Sequence, residues 1–166
     1  MGMDKAALKK EYQHFFKSSE PDPDYPNGYK RILVNHLNFM KFMELAEKST
    51  GDIAFDTETT GMDFSILQLV GVSVCFEDKR SFYLPFRHKV DPELNLPWEF
   101  LTALYERVLK KRTVLWFNYP FDGHVLDLSG FDVEELSIID VMVVCWLMDT
   151  NWKEISLKWS ANHFLG

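Results

Sequence analysis

Ile53-Ala54-Phe55-Asp56-Thr57-Glu58-Thr59-Thr60-Gly61 is an apolar run that ends in two acids one residue apart. Side chains at i and i+2 of an extended backbone share a face, so this stretch sets Asp56 and Glu58 side by side. Two unpaired carboxylates at that spacing repel each other. A divalent cation between them removes the repulsion, because hard Mg²⁺ or Mn²⁺ prefers carboxylate, phosphate and water oxygens. The pattern points to a metal-dependent phosphoryl-transfer site. The plainer alternative makes Asp56 a turn cap and Thr57 to Gly61 a polar loop, and the rest of the chain decides between them.

Working outward, residues 52–57 read as a strand, followed by strands over 67–76 and 81–86 joined by the short polar loop Glu77-Asp78-Lys79-Arg80. On the N-terminal side, residues 31–35 read as a strand. A helix over 37–48 follows, with Leu37, Met40, Met43 and Ala46 at three-residue spacing. Residues 1–16 are compatible with a short helix, whereas Pro21, Pro23, Pro26 and Gly28 mark a linker. Residues 1–29 are therefore expected to be an arm, and residues 30–166 one compact domain.

On the C-terminal side, Asn95 and Pro97 mark the start of a helix with Trp98, Leu101, Leu104, Tyr105 and Val108 on one face. Thr113 to Phe117 is a short apolar strand of the kind buried on both faces. Pro120 suits the first turn of a helix that Ser129-Gly130 ends. A short strand is expected at 137–139, then Asp140 as N-cap of an apolar helix through Leu147. A last helix begins near Lys153 and carries Ile155, Trp159 and Leu165. Three strands in a meander, then alternating helix and strand, make a mixed α/β sheet covered by helices.

Asn118-Tyr119-Pro120-Phe121-Asp122 follows directly on the apolar strand. Asp122 thus stands in the first turn of a helix, where the helix dipole tolerates a carboxylate. Read alone it is an ordinary helix-start residue. If strand 113–117 lies beside strand 52–57 and parallel to it, Asp122 falls near Asp56 and Glu58, and three acids converge.

The 166 residues suffice for one domain with a real core. An apolar share of 46% with 26% charged residues describes an ordinary globular chain, with no apolar run long enough to span a bilayer. Residues 1–20 are charged and do not resemble a secretory signal. Cys75 and Cys145 sit in apolar surroundings, which favours buried thiols in a reducing compartment. The expected setting is cytoplasmic, bacterial or that of a host if the chain is phage-encoded. A net charge of −7 argues against gripping nucleic acid by long-range attraction alone. It does not exclude a nuclease whose ions reverse the local sign when they load. Arg87-His88-Lys89 and Lys110-Lys111-Arg112 are the basic groups, and both read more readily as structural than as phosphate contacts.

Asp56-Thr57-Glu58-Thr59-Thr60-Gly61 resembles the first motif, and Asn118 through Asp122 the second, of the acidic-tetrad 3′-to-5′ exonucleases. Gln68 to Ser73 leading to Tyr83-Leu84-Pro85 most resembles the proofreading domain of family A, polymerase I-like DNA polymerases, with ribonuclease D the nearest rival. Asp140 with its apolar helix and Ile155-Ser156-Leu157 also resemble family A segments after the second motif. The resemblance covers about residues 30–166.

It implies a ribonuclease H-like fold, truncated at the C-terminus relative to the family, and two-metal hydrolysis of a terminal phosphodiester with two Mg²⁺ or Mn²⁺ ions. One ion lowers the pKa of the attacking water while the other, about 4 Å away, stabilises the departing 3′ oxygen. By the same carry-over Asp56 bridges both ions, Glu58 holds the ion of the attacking water and Asp122 reaches the second through water. Thr59 and Met62 then touch the terminal nucleotide, and Asn118 and Phe121 line the cleft. Core packing is the alternative for Met62 and Phe121. The implied partners are single-stranded DNA 3′ ends, with RNA as the rival substrate, and a polymerase joined downstream.

Two departures qualify this. Pro120 stands where relatives often carry Lys, and no Tyr or His has an Asp four residues later, so the family's third motif is absent. Asp127, Asp132 and Asp140 are candidate replacements for the fourth acid, of which Asp140 fits a helix cap better. The chain reads first as an exonuclease domain whose remaining motif lies on a continuation or a second polypeptide. The alternatives are a module that binds single-stranded ends without cutting, and a scaffold that docks through the apolar helix 141–148.

Overall fold

The computed structural model describes residues 30–76, 80–148, 150–151 and 155–165. The expected N-terminal arm and residues 77–79 of the expected 77–80 loop lie outside them, whereas Arg80 already belongs to a strand. Six strands form one sheet: β1 (Lys30–Leu33), β2 (Ile53–Thr59), β3 (Leu69–Cys75), β4 (Arg80–Pro85), β5 (Thr113–Trp116) and β6 (Ser137–Asp140), in the order β1-β4-β3-β2-β5-β6. The β2-β3-β4 meander is antiparallel, β5 and β6 continue parallel to β2, and β1 lies parallel to β4 at the opposite edge. β2 is thereby central, with its acids at its C-terminal end.

One face of the sheet is packed. Ile53, Phe55 and Thr57 of β2, Val72 and Val74 of β3, Phe82 and Leu84 of β4, and Val114 and Trp116 of β5 are buried on it. Helices α1 (Phe39–Lys48), α2 (Trp98–Arg107) and α3 (Tyr119–Leu128) supply the residues that share this core. Phe42 of α1 lies 5.1 Å from Phe82, and Phe55 meets Trp116 edge-on at 5.7 Å, measured between ring centres. Each fully buried side chain of this size contributes about 1.5–3 kcal/mol of transfer free energy.

Helix α1 corrects the expected apolar face. Its buried residues are Phe39, Phe42, Met43 and Ala46, whereas Leu37 and Met40 are 96% and 68% exposed. A strict three-residue spacing drifts around a helix of 3.6 residues per turn, while i, i+3, i+4, i+7 holds one face. Asn35 and Asn38 start the helix at Phe39: Asn35 Oδ1 accepts from the N–H groups of Leu37 and Asn38, and Asn38 Oδ1 accepts from Asn35 N–H.

The other face is covered in part, by α4 (Val141–Met148) and α5 (Leu157–Leu165). Val141 and Leu157 roof a cavity of about 240 Å³ over Ala54, Asp56, Ser73 and Leu115. Incomplete cover overturns the expectation that the β5 strand is buried on both faces, since Thr113 and Leu115 are half-buried. Helix α5 begins at Leu157, with Ser156 Oγ accepting from Trp159 N–H, so Ile155 precedes the helix. Cys145 is buried but Cys75 is half-buried, and neither forms a disulfide. Among the described residues no helix is long and apolar enough to cross a membrane.

Candidate active site

The end of β2 is shaped by a bulge. Glu58 pairs with Gly71 and Thr59 with Leu69, so the register shifts between the two. Bulges re-aim side chains where a strand leaves its sheet. Beyond it, Thr60 N–H donates to Gln68 O at 3.0 Å and Thr60 Oγ1 accepts from Gln68 N–H at 2.9 Å, which closes the 60–68 loop at its base. Ala54, Asp56 and Glu58 face away from the packed core, in alternation with Ile53, Phe55 and Thr57.

Asp122 reaches this strand from α3. β2 pairs with β5 only through Ile53 and Ala54. Farther along β2, Asp122 takes the place of a neighbouring strand: its Oδ1 accepts from Thr57 N–H at 2.8 Å and from Thr57 Oγ1–H at 2.6 Å. The Asp122 side chain is buried. The turn that delivers it is held by Asp140, whose carboxylate accepts from the N–H groups of Asn118, Tyr119 and Met142 at 3.1, 3.0 and 2.9 Å. Asp140 thus caps the start of α4 and ties down the β5–α3 turn. Asn118 adopts φ of 74° there, a left-handed conformation that Asn tolerates better than most residues.

The acids act on one another. Asp56 remains within reach of solvent, yet desolvation by the surrounding protein, then the charges of Asp122 and Glu58, push its carboxyl up to about 6. Burial raises Asp122 as well and Asp140 adds to the rise, while the two hydrogen bonds from Thr57 oppose it. A site that raises its own carboxylates in this way is short of positive charge.

Among the described residues no three Asp, Glu, His or Cys side chains are gathered closely enough to enclose a metal by themselves. Mg²⁺ keeps several waters and is bound through one or two carboxylates plus substrate phosphates rather than by an all-protein cage. Asp56 and Glu58 supply hard oxygens on one face, and Asp122 retains Oδ2 once Oδ1 is engaged by Thr57. The donor set fits a hard divalent ion.

The remaining sequence-derived candidates are more scattered. Thr59 turns its hydroxyl to Gly61 O at 2.6 Å, and Met62 is 81% exposed in the 60–68 loop. Phe121 is half-buried against the core, 5.4 Å from Phe64, whose ring also meets His124 at 4.5 Å. Of the basic groups, Lys110 pairs with Glu106 and Glu135, Arg112 donates to Ala46 O and Gly51 O, and Arg87 stacks on Trp98. Thr57 was missed as a site residue. The available signal was a hydroxyl at a core-facing position of β2, which must find a partner once buried.

Paired acids thus stand at the end of a central strand, with a third acid from the helix after its parallel neighbour, on a ribonuclease H-like fold. The chain belongs to the 3′-5′ exonuclease family, whose sequence model matches residues 34–166, and is of the DNA polymerase I type. DNA polymerase I of Borreliella burgdorferi is 31% identical over 144 residues, 86% of this chain. The chain spans only 15% of that relative's length. Escherichia coli RNase D, an exoribonuclease involved in structured RNA processing, shares the fold with a TM-score of 0.57 at 15% identity, over 83% of this chain and 34% of that one. Brucella melitensis NrnC with bound Mg²⁺ does so with a TM-score of 0.55 at 17% identity, over 81% of this chain and 59% of that one.

Proposed function

We propose that this chain removes nucleotides from the 3′ end of single-stranded DNA, as the proofreading part of a polymerase I-type protein. The observation that carries this reading is the pair of hydrogen bonds from Thr57 to Asp122. Thr57 lies between Asp56 and Glu58, so these bonds tether a third acid to the backbone of the acid pair. Divalent ions bound there supply a water of lowered pKa and positive charge for the departing oxygen. Asp56 and Glu58 would hold them, with Asp122 Oδ2 as a partner through water. Thr59 and Met62 meet the terminal nucleotide, and Asn118 and Phe121 line the cleft. Residues 30–166 form this unit. The Tyr and Asp of the family's third motif come from a further segment or a second chain.

The test is release of label from a 3′-labelled single strand with Mg²⁺ or Mn²⁺, for the wild type and Asp56→Ala, with an RNA strand alongside. Mononucleotide release that Asp56→Ala abolishes supports the proposal, and equal release by both proteins overturns it. Faster release from RNA replaces DNA as the substrate. Binding of the labelled strand without release would instead make the chain a binder of single-stranded ends.

A further inference from the structure

A phenol and an imidazole meet over Gly71, the residue paired with Glu58, and have no part in the chemistry above. On the acid-bearing face, Glu58 of β2 is opposite Gly71 of β3, and Tyr83 of β4 is opposite Ser73. Tyr83 leans over Gly71: a Cβ built at residue 71 would lie 2.0 Å from the Tyr83 hydroxyl and 2.5 Å from its Cζ. Any side chain there displaces the phenol. Glycine inside a strand weakens it and often marks a close approach of another group, which is the case here. Directly opposite residues of an antiparallel pair have Cβ atoms about 4.5–5.5 Å apart. A hydroxyl 2.0 Å from where the Cβ of residue 71 would be is therefore within reach of the Glu58 carboxylate.

The hydroxyl is also held from behind. Tyr83 Oη and His88 Nε2 are 2.5 Å apart, with the rings edge to face. His88 is in turn clamped by Asn95, whose Oδ1 accepts from His88 N–H and whose Nδ2 donates to His88 O, both at 2.9 Å. Desolvation holds the imidazole below its usual range, while the Glu58 charge acts the other way, which places Glu58 within electrostatic reach. Neutral imidazole can donate or accept at Nε2, whereas a carboxylate only accepts. One proton arrangement satisfies all three groups: His88 Nε2–H donates to Tyr83 Oη, and Tyr83 O–H points to Glu58.

We propose that Tyr83, fixed by His88 over Gly71, is a positioning residue whose hydroxyl donates to Glu58 and orients that carboxylate for a divalent ion. The inference rests on the metal-site reading of Asp56 and Glu58. Hydrogen-bond partners of metal ligands typically change affinity by about 10–100-fold when removed.

The test is calorimetric Mn²⁺ titration of the full chain and its Tyr83→Phe, His88→Ala and Asp56→Ala variants, with unfolding temperatures recorded without metal. Tyr83→Phe keeps the ring over Gly71 and removes the hydroxyl alone. The expected result is about a tenfold loss of Mn²⁺ affinity with the unfolding temperature unchanged, and a loss in the same direction for His88→Ala. Wild-type affinity in Tyr83→Phe, while Asp56→Ala abolishes binding, overturns the role of Tyr83 and leaves the metal site standing. Failure of the wild type itself to take up Mn²⁺ overturns the metal-site reading, and the inference with it.

Discussion

The two faces of β2 are made by alternate residues of one seven-residue strand, and they differ in kind. Ile53, Phe55 and Thr57 lie in the core under α1, α2 and α3, whereas Ala54, Asp56 and Glu58 stand on the open side. The packed face supplies stability. The open face carries like charges that oppose folding. Thr57 joins the two, since its buried hydroxyl and its N–H hold the acid that α3 contributes. A strand rigid on one side can thus present a repulsive cluster on the other without losing its register.

The comparison is broken most severely from the packed side. Phe55→Ala removes a buried ring that meets Trp116, and the expected cost is about 3–5 kcal/mol in denaturant unfolding. Thr57→Val keeps the volume but leaves the buried Asp122 short of a donor, for an expected loss of about 1–3 kcal/mol together with weaker Mn²⁺ binding. A Thr57→Val protein with full stability and full Mn²⁺ affinity would show that Asp122 is not held by this bond.

Asp56→Asn should act in the opposite direction. The native carboxyl, pushed up to about 6, keeps a proton that an unfolded Asp has already lost, so stability falls as pH rises from about 4 to about 6. The full shift would be worth up to about 3 kcal/mol, and solvent access to Asp56 reduces this to on the order of 1 kcal/mol. The variant should be the more stable protein at pH 8 and equal to wild type near pH 4, as followed by unfolding temperature against pH. The smallest effect belongs to Met62→Ala. This exposed side chain should change stability by less than about 0.5 kcal/mol while weakening binding of single-stranded ends in a gel-shift or anisotropy assay.

What the chain discloses before folding follows the same division. The alternation of β2 and the adjacency of Asp56 and Glu58 are readable because a strand repeats every two residues. The parallel β2–β5 pairing is readable as a condition, because helix α2 precedes β5 and gives the chain a crossover from β4 back to β2. The face of α1 is misjudged because Leu37 and Met40 are as apolar as Phe39 and Phe42, and only the Asn35–Asn38 turn decides where the helix begins. The half-covered face of β5 depends on how far α4 and α5 extend over the sheet, which no local pattern encodes. The Tyr83–Gly71 approach is hidden for a related reason: it joins two strands and a loop residue, His88, through a gap that appears in sequence only as a glycine.

The claim that the open face of β2 is a cation site is tested most directly by the unfolding temperature at pH 8 with and without Mn²⁺. Binding to the native state alone raises it. The account predicts a rise for the wild type and none for Asp56→Asn, and an equal rise in both proteins would contradict it.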